Sequence, residues 1–426
     1  MSIPKSLLGK TATRKNLADA WQHISRFAWD TSHGISDETI REFRSNLKKN
    51  LEDIRTLLLT GKYKFGKLRA TTRRKKSGKP RPLQIADIRD RVVLRAITKI
   101  LEDQLEDKFQ LDNSASFAYL GGKGVRTAIK QMLKYHQEGY NIILEADIEN
   151  FFDTVRVDDL LKNMIYPNLR DDTLNTLIEE AFEMEIGNRE DLSEELKRLF
   201  PEDAVGLPQG GYLSPLFSNI YLSGFDQIML NNGFLLIRYA DDFIVMCKSI
   251  PEAEKAYELA KKILEEELGL KVHKRNDKDN KSKTRVLELG KQKIKFLGVQ
   301  FDGKRILPDP DKKLELSHKL TTIRNEARTV IDLLISTRNL LEGWIAAYSF
   351  TDLTEDYINS IDNEVDKILW STLSSLEWRL KPRLQLSKSQ RENSGIDPVI
   401  WYLNKVRSNF SSSDRELLEK YWTTHN

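Results

Sequence analysis

The segment from Leu235 to Met246 places two adjacent carboxylates, Asp241 and Asp242, between two apolar runs of strand-forming residues. Runs of this length read as the arms of a hairpin, with the acids at its tip. A solvated acidic turn is the plain alternative. Paired acids also suit divalent metals, which prefer hard oxygen ligands. A second acid bears on the choice. Ile142-Ile143-Leu144 reads as a short buried strand ending at Asp147. If these strands are neighbours, Asp147, Asp241 and Asp242 converge and would bind two magnesium ions between them. Two metals a few ångströms apart can clamp the attacking and leaving oxygens of a phosphoryl transfer. Glu149 and Asp153 lie nearby, but a turn starting at Glu149 leaves their facing open.

The charge distribution agrees with a polyphosphate partner. The formal net charge is only +4, yet ten basic residues and no acid lie between Gly61 and Arg81. A second basic segment runs from Lys271 to Arg285, with two aspartates. Such clusters are the expected footprint of nucleic acid, although either alone could be a solvated loop. No apolar run approaches the roughly 20 residues a membrane-spanning helix needs, and residues 1–6 lack the apolar core of a signal peptide. Cys247 is the only cysteine, so no internal disulfide or cysteine-based zinc site is available. These features predict a cytoplasmic protein in a reducing compartment, with Cys247 as a small core residue.

Along the chain, Ser36-Asp37 is expected to cap a helix with Ile40, Phe43, Leu47, Leu51, Ile54 and Leu58 on one face. Asp87 opens another helix. The acidic stretch from Asp171 to Leu199 is expected to be helical, as are Leu213 to Leu230 and Pro251 to Leu268. Ile294 to Val299 and Arg305 to Leu307 read as strands flanking a tight turn at Asp302-Gly303. Beyond Pro310 the pattern is helical almost to the end, with breaks at Pro382 and Gly395-Ile396-Asp397-Pro398. The fold class expected is α+β, a mixed body followed by an all-helical tail.

Six segments, in order, resemble the blocks of prokaryotic reverse transcriptases, above all those of group II introns. They are Lys79-Pro80-Arg81-Pro82-Leu83 with Asp87 to Val93; Asn113-Ser114-Ala115-Ser116-Phe117 with Gly124; Asp147 to Asp153; Leu207-Pro208-Gln209-Gly210-Gly211-Tyr212-Leu213-Ser214-Pro215; Tyr239-Ala240-Asp241-Asp242; and Phe296-Leu297-Gly298-Val299. The resemblance implies a right-hand polymerase fold: an N-terminal helical extension (1–60), fingers (61–146), a palm (147–304) and a helical thumb with the C-terminal region (305–426). It implies an RNA-directed DNA polymerase that uses deoxynucleotide triphosphates and two Mg2+ ions. Asp147, Asp241 and Asp242 would be the catalytic, metal-binding acids, helped by the carbonyl of Ile148. Lys75 and Arg81 would contact the triphosphate, the ring of Phe152 would exclude a 2′-hydroxyl, and Gln209 would line the nucleotide pocket. Phe296, Leu297 and Gly298 would form the primer grip. Lys283 lies in a segment resembling a later basic block, with an insertion before it.

Leu341 to Tyr348 resembles the thumb helix of the intron enzymes. The Gln-Gly-x-x-x-Ser-Pro pattern departs from diversity-generating enzymes, and the Val-Thr-Gly of retron enzymes is missing. A strongly basic DNA-binding region and a Cys/His-rich nuclease are missing as well, and the chain ends soon after the thumb. The resemblance therefore points to the stand-alone reverse transcriptases of anti-phage defence, whose partner is a dedicated non-coding RNA and whose product is cDNA. An intron-encoded maturase is the alternative.

Overall fold

A computed structural model describes residues 6–27, 32–74, 80–201, 206–278, 282–327, 329–374 and 395–419. The fold is α+β, as the sequence pattern predicts. Among the described residues nine strands make three antiparallel sheets: β1 (Arg69–Arg74) with β2 (Pro80–Ile85); a central sheet of β3 (Ile142–Asp147), β4 (Leu235–Tyr239), β5 (Asp242–Cys247) and β6 (Arg285–Glu288) in the order β4-β5-β3-β6; and β7 (Ile294–Phe296), β8 (Val299–Phe301) and β9 (Ile306–Pro308) in sequence order.

The central sheet is buried on both faces, which is why its strands read as unbroken apolar runs. One face carries Leu144, Ala146, Leu236, Phe243 and Val245, and packs in one core with Phe217, Ile220 and Phe225 of the Ser214–Asn231 helix and Ala253 and Ala256 of the Ile250–Lys261 helix. The other carries Ile143, Ile237, Ile244 and Met246 against Ile129, Met132 and Leu133 of the Val125–Gln137 helix. Cys247 is fully buried in the first of these cores, and burial pushes its thiol up to about 12. The tail helices Pro310–Glu326, Val330–Tyr348, Glu355–Ser374 and Val399–Arg407 close a separate core around Leu341, Val365 and Tyr402. Gly395-Ile396-Asp397-Pro398 precedes the last of these, as expected, whereas Pro382 lies outside the described residues. No described helix is long and apolar enough to cross a membrane.

Three local expectations need correction. The helix expected after Ser36-Asp37 is two helices, Ile40–Ser45 and Leu47–Leu59, broken at Asn46. Its cap is Thr39, which forms a reciprocal capping box with Glu42. The Ser36 amide instead donates to the Asp87 carboxylate at 3.0 Å. The stretch from Asp171 to Leu199 is helical only over Asn175–Phe182 and Glu194–Lys197. Part of it leaves the helix to bridge the residue before β1, where Ile186 pairs with Leu68. Finally, Ile294 to Val299 is not one strand. Leu297 and Gly298 have φ of 51° and 82°, which makes a tight hairpin turn between β7 and β8.

The loop at 206–211 holds separate parts of the chain together. The Leu207 amide donates to the Phe152 carbonyl at 2.7 Å, and the Gln84 amide to the Gln209 carbonyl at 3.1 Å. This approach needs a glycine at 206: a Cβ there would lie 2.3 Å from the Phe152 carbonyl oxygen and 2.7 Å from Asp153 Cα. Gly206→Ala is therefore expected to destabilise the protein by about 1–3 kcal/mol, the usual range for overpacking. Chemical denaturation measures this, and an unchanged midpoint would contradict the close approach.

Candidate active site

Asp147 is the last residue of β3 and Asp242 the first of β5, and they are direct cross-strand partners. Paired residues in register share a sheet face, which brings the two carboxyls close enough for each to act on the other's charge. Asp241 occupies the two-residue turn between β4 and β5, after Ala240 at φ 59°. The three acids therefore converge. Ile148 is buried and bridges Val272. That bridge uses the Asp147 carbonyl, bonded by the His273 amide at 3.0 Å, and the Glu149 amide, bonded to Lys271 at 2.7 Å. In an antiparallel pair, neighbouring residues aim their backbone groups in opposite directions, so the Ile148 carbonyl faces the acid side.

The electrostatics are those of a crowded anionic site. Desolvation, the charges of Asp147 and Asp241 and the hydrogen bond to Asp147 push Asp242 up to about 7. Asp241 is raised as well, first by desolvation and then by Asp147, with Lys283 and Arg81 opposing. The Lys283 ammonium pairs with Asp147. His273 places Nε2 3.4 Å from the same carboxylate and Nδ1 3.3 Å from Glu149. Among the described residues no three His, Cys, Asp or Glu side chains already close a metal cage. The donor chemistry nonetheless fits a hard cation: three carboxylates lie close enough to act on one another's charge, and one ammonium, paired with Asp147, offsets only part of it.

A cavity of about 900 Å³ has a lining that includes Arg81, Tyr119, Phe152, Gln209 and Tyr212. None of the three acids lines it, and its link to them is through Arg81 and Tyr119, which lie close enough to Asp241 to interact with its charge. Arg81 Nε donates to Gln209 Oε1 at 3.0 Å. Phe152 is half-buried on this wall, while its neighbour Phe151 is a core ring packed edge-on at 5.5 Å. Three of the four expected nucleotide-binding residues thus line one space, and the fourth, Lys75, lies outside the described residues. The expected grip residues bend around the β7–β8 turn: Phe296 is buried, and a Cβ on Gly298 would stand 3.2 Å from both Lys312 Cε and Tyr348 Oη of the helical tail.

Sequence reasoning missed four residues here. Tyr119 is half-exposed in the cavity at φ 61°, and partial burial, then the charge of Asp241, raise its pKa. His273 contacts Asp147 across the insertion. Arg238 and Asn219 lie buried behind the acid turn. Arg238 alone left a signal, as a charge inside an apolar strand.

Residues 73–301, more than half the chain, match the family described as reverse transcriptase (RNA-dependent DNA polymerase). The chain belongs to that family and is by class an RNA-directed DNA polymerase; the right-hand polymerase fold comes with that membership. It is 27% identical over 313 residues to Protein YkfC of Escherichia coli K12, covering 64% of this chain and 76% of YkfC. It is 28% identical over 204 residues to the group II intron-encoded protein LtrA of Lactococcus lactis subsp. cremoris, covering 47% of this chain and 30% of LtrA. Among solved structures, a partial Cas6-RT-Cas1–Cas2 complex aligns at 25% identity and a TM-score of 0.35, covering 62% of this chain and 42% of that one.

Because Lys283 compensates Asp147, it competes with any cation for that carboxylate. Lys283→Met should therefore bind Mn2+ more tightly than the wild type when titrated calorimetrically without nucleotide. Weaker binding would show that the ammonium does not oppose the cation.

Proposed function

We propose that this protein copies RNA into DNA by two-metal phosphoryl transfer. The observation that carries the proposal is the Asp147–Asp242 cross-strand pair, with Asp241 in the adjoining turn; Arg81, which acts on Asp241's charge, shares one cavity with Phe152 and Gln209. When bound, Mg2+ would supply activation of a primer 3′-hydroxyl and stabilisation of the departing pyrophosphate. Asp147, Asp241, Asp242 and the Ile148 carbonyl would hold it. Arg81 would bind the triphosphate in its planar fork, with Lys75 assisting. Gln209, tied to Arg81, would keep that guanidinium aimed into the cavity. The Phe152 ring would occupy the space of a 2′-hydroxyl. Phe296, Leu297 and Gly298 would support the primer end. In this reading residues 61–146 are fingers, 147–304 palm and 305–426 thumb with the C-terminal region, after a helical extension over 1–60.

The biological role proposed is anti-phage defence with a dedicated structured non-coding RNA as template and cDNA as product. Its support is the block pattern that separates the chain from diversity-generating and retron enzymes. The likeness to LtrA favours the second reading, an intron-encoded enzyme that assists splicing and mobility. Sequencing RNA and DNA that co-purify with the protein separates them: one recurrent non-intron RNA with matching cDNA supports defence, and flanking intron RNA supports the maturase.

Primer extension on an RNA template tests the chemistry. Asp241→Ala should abolish dNTP incorporation while leaving RNA affinity near wild type; normal synthesis would remove the metal assignment. Phe152→Ala should admit ribonucleotides, and unaltered selectivity would take Phe152 out of its proposed role. Arg81→Ala should raise the KM for dNTP tenfold or more, since a hydrogen bond to a charged group is worth about 1.5–3 kcal/mol. An unchanged KM would exclude a triphosphate contact.

A further inference from the structure

Arg238 heads the fully buried side chains by volume, with no exposed surface. A guanidinium inside a strand is costly unless its donors are all used. Here they are. Nε and one terminal nitrogen donate to the two oxygens of Asp226 at 2.6 and 2.5 Å, and that terminal nitrogen also reaches Ser116 Oγ at 3.1 Å. The other terminal nitrogen donates to Asn219 Oδ1 at 3.2 Å and to the carbonyl of Ala240 at 3.1 Å. Asp226 and Asn219 both come from the Ser214–Asn231 helix.

Two of the three acceptors beyond the ion pair, Ala240 and Asn219, lead to opposite sides of the active site. Ala240 immediately precedes Asp241 and is held at φ 59°. A non-glycine residue in that region is strained and persists only where surrounding contacts enforce it. Asn219 passes the bracket onward, donating its amide nitrogen to the Ala118 carbonyl at 2.8 Å. Ala118 precedes Tyr119, which is also left-handed and lines the cavity. The backbone reinforces the link, with the Arg238 amide bonded to the Ala115 carbonyl at 2.7 Å and the Phe117 amide to the Arg238 carbonyl at 2.9 Å.

We propose that Arg238 is a positioning residue that sets the Asp241 turn against the Tyr119 wall of the cavity, with Asp226 neutralising it and Asn219 as the connecting bracket. This rests on the polymerase reading above. A pair retained for stability alone needs only Asp226, and apolar residues of similar volume would replace it with little or no loss. The bond to Ala240 is what such a replacement cannot supply. Lysine can neutralise Asp226 but is a point donor without the planar fork that reaches four acceptors together.

The test compares full-length wild type, Asp241→Ala, Arg238→Lys and the double variant Arg238→Met/Asp226→Leu. Each is measured for thermal denaturation, RNA binding, kcat and KM for dTTP on poly(rA)/oligo(dT), and the Mg2+ concentration giving half-maximal rate. Both Arg238 variants should fold and bind RNA. Their kcat should fall at least tenfold and their Mg2+ requirement rise, while KM for dTTP changes less than threefold. Wild-type kcat and Mg2+ requirement in either folded variant would overturn the proposal. So would loss of folding in both, which would make the pair a stability element. Wild type active with Asp241→Ala equally active would instead refute the acid assignment and leave the role of Arg238 in that site without a basis.

Discussion

The structure depends on one registration: Asp147 of β3 opposite Asp242 of β5. A slip of one residue would turn every side chain of β3 to the other face of the sheet. It would bury one acid among the apolar groups around Leu144 and Val245. The register is held because both faces are packed, so that each residue of β3 has an assigned side, Ile143 toward Met132 and Leu144 toward the opposite core. The acids then lie at the open end of two sandwiched strands. Folding buries them and forces them together, and burial first, then the charges of Asp147 and Asp241, push Asp242 up. The hydrophobic layers overcome the charge repulsion, and Lys283 offsets part of it.

The cavity depends on a different device, backbone proximity between remote segments. The 206–211 loop is bonded to Phe152 on one side and to β2 on the other. The ring, the guanidinium and the amide on its walls come from residues 152, 81 and 209, yet their spacing is set by main-chain hydrogen bonds and by a glycine that lets two backbones meet. The side chains remain half-exposed or exposed, free to meet a ligand, while the geometry is fixed beneath them. Tyr119 and the acid turn are held in the same way, from behind, by buried polar groups.

Much of this was legible in the sequence because the informative residues are adjacent. Asp241 and Asp242 sit between two apolar runs, and a two-residue turn follows from that spacing. Asp147 was legible because a buried strand rarely ends on an acid without cause. The failures have physical reasons. Phe296-Leu297-Gly298-Val299 reads as a strand by composition, but its turn is set by two left-handed residues, only one of them a glycine. The apolar spacing from Ile40 to Leu58 is continuous, and the break at Asn46 leaves no gap in it. Charge between Asp171 and Leu199 favours solvent exposure without dictating a helix, and the contact between Ile186 and Leu68 is a tertiary choice. His273 could not be paired with Asp147 by spacing, since its contact arises from a short bridge 124 residues along, where Val272 meets Ile148.

The segment between His273 and Lys283 is tied to the site at both of its ends. Its two ends land on the same carboxylate, His273 from one side and Lys283 from the other. Between them, Arg275 is clamped by Glu254 at 2.6 and 2.8 Å and by Asp277, and these carboxylates raise its pKa. Asp277 also accepts the Val286 amide at 2.8 Å, which ties the segment to β6. The insertion is therefore anchored on the Ile250–Lys261 helix and on the edge of the central sheet before it returns to Asp147. Extra length in a loop costs little closure entropy, and here the anchors keep that length from loosening the groups at either end.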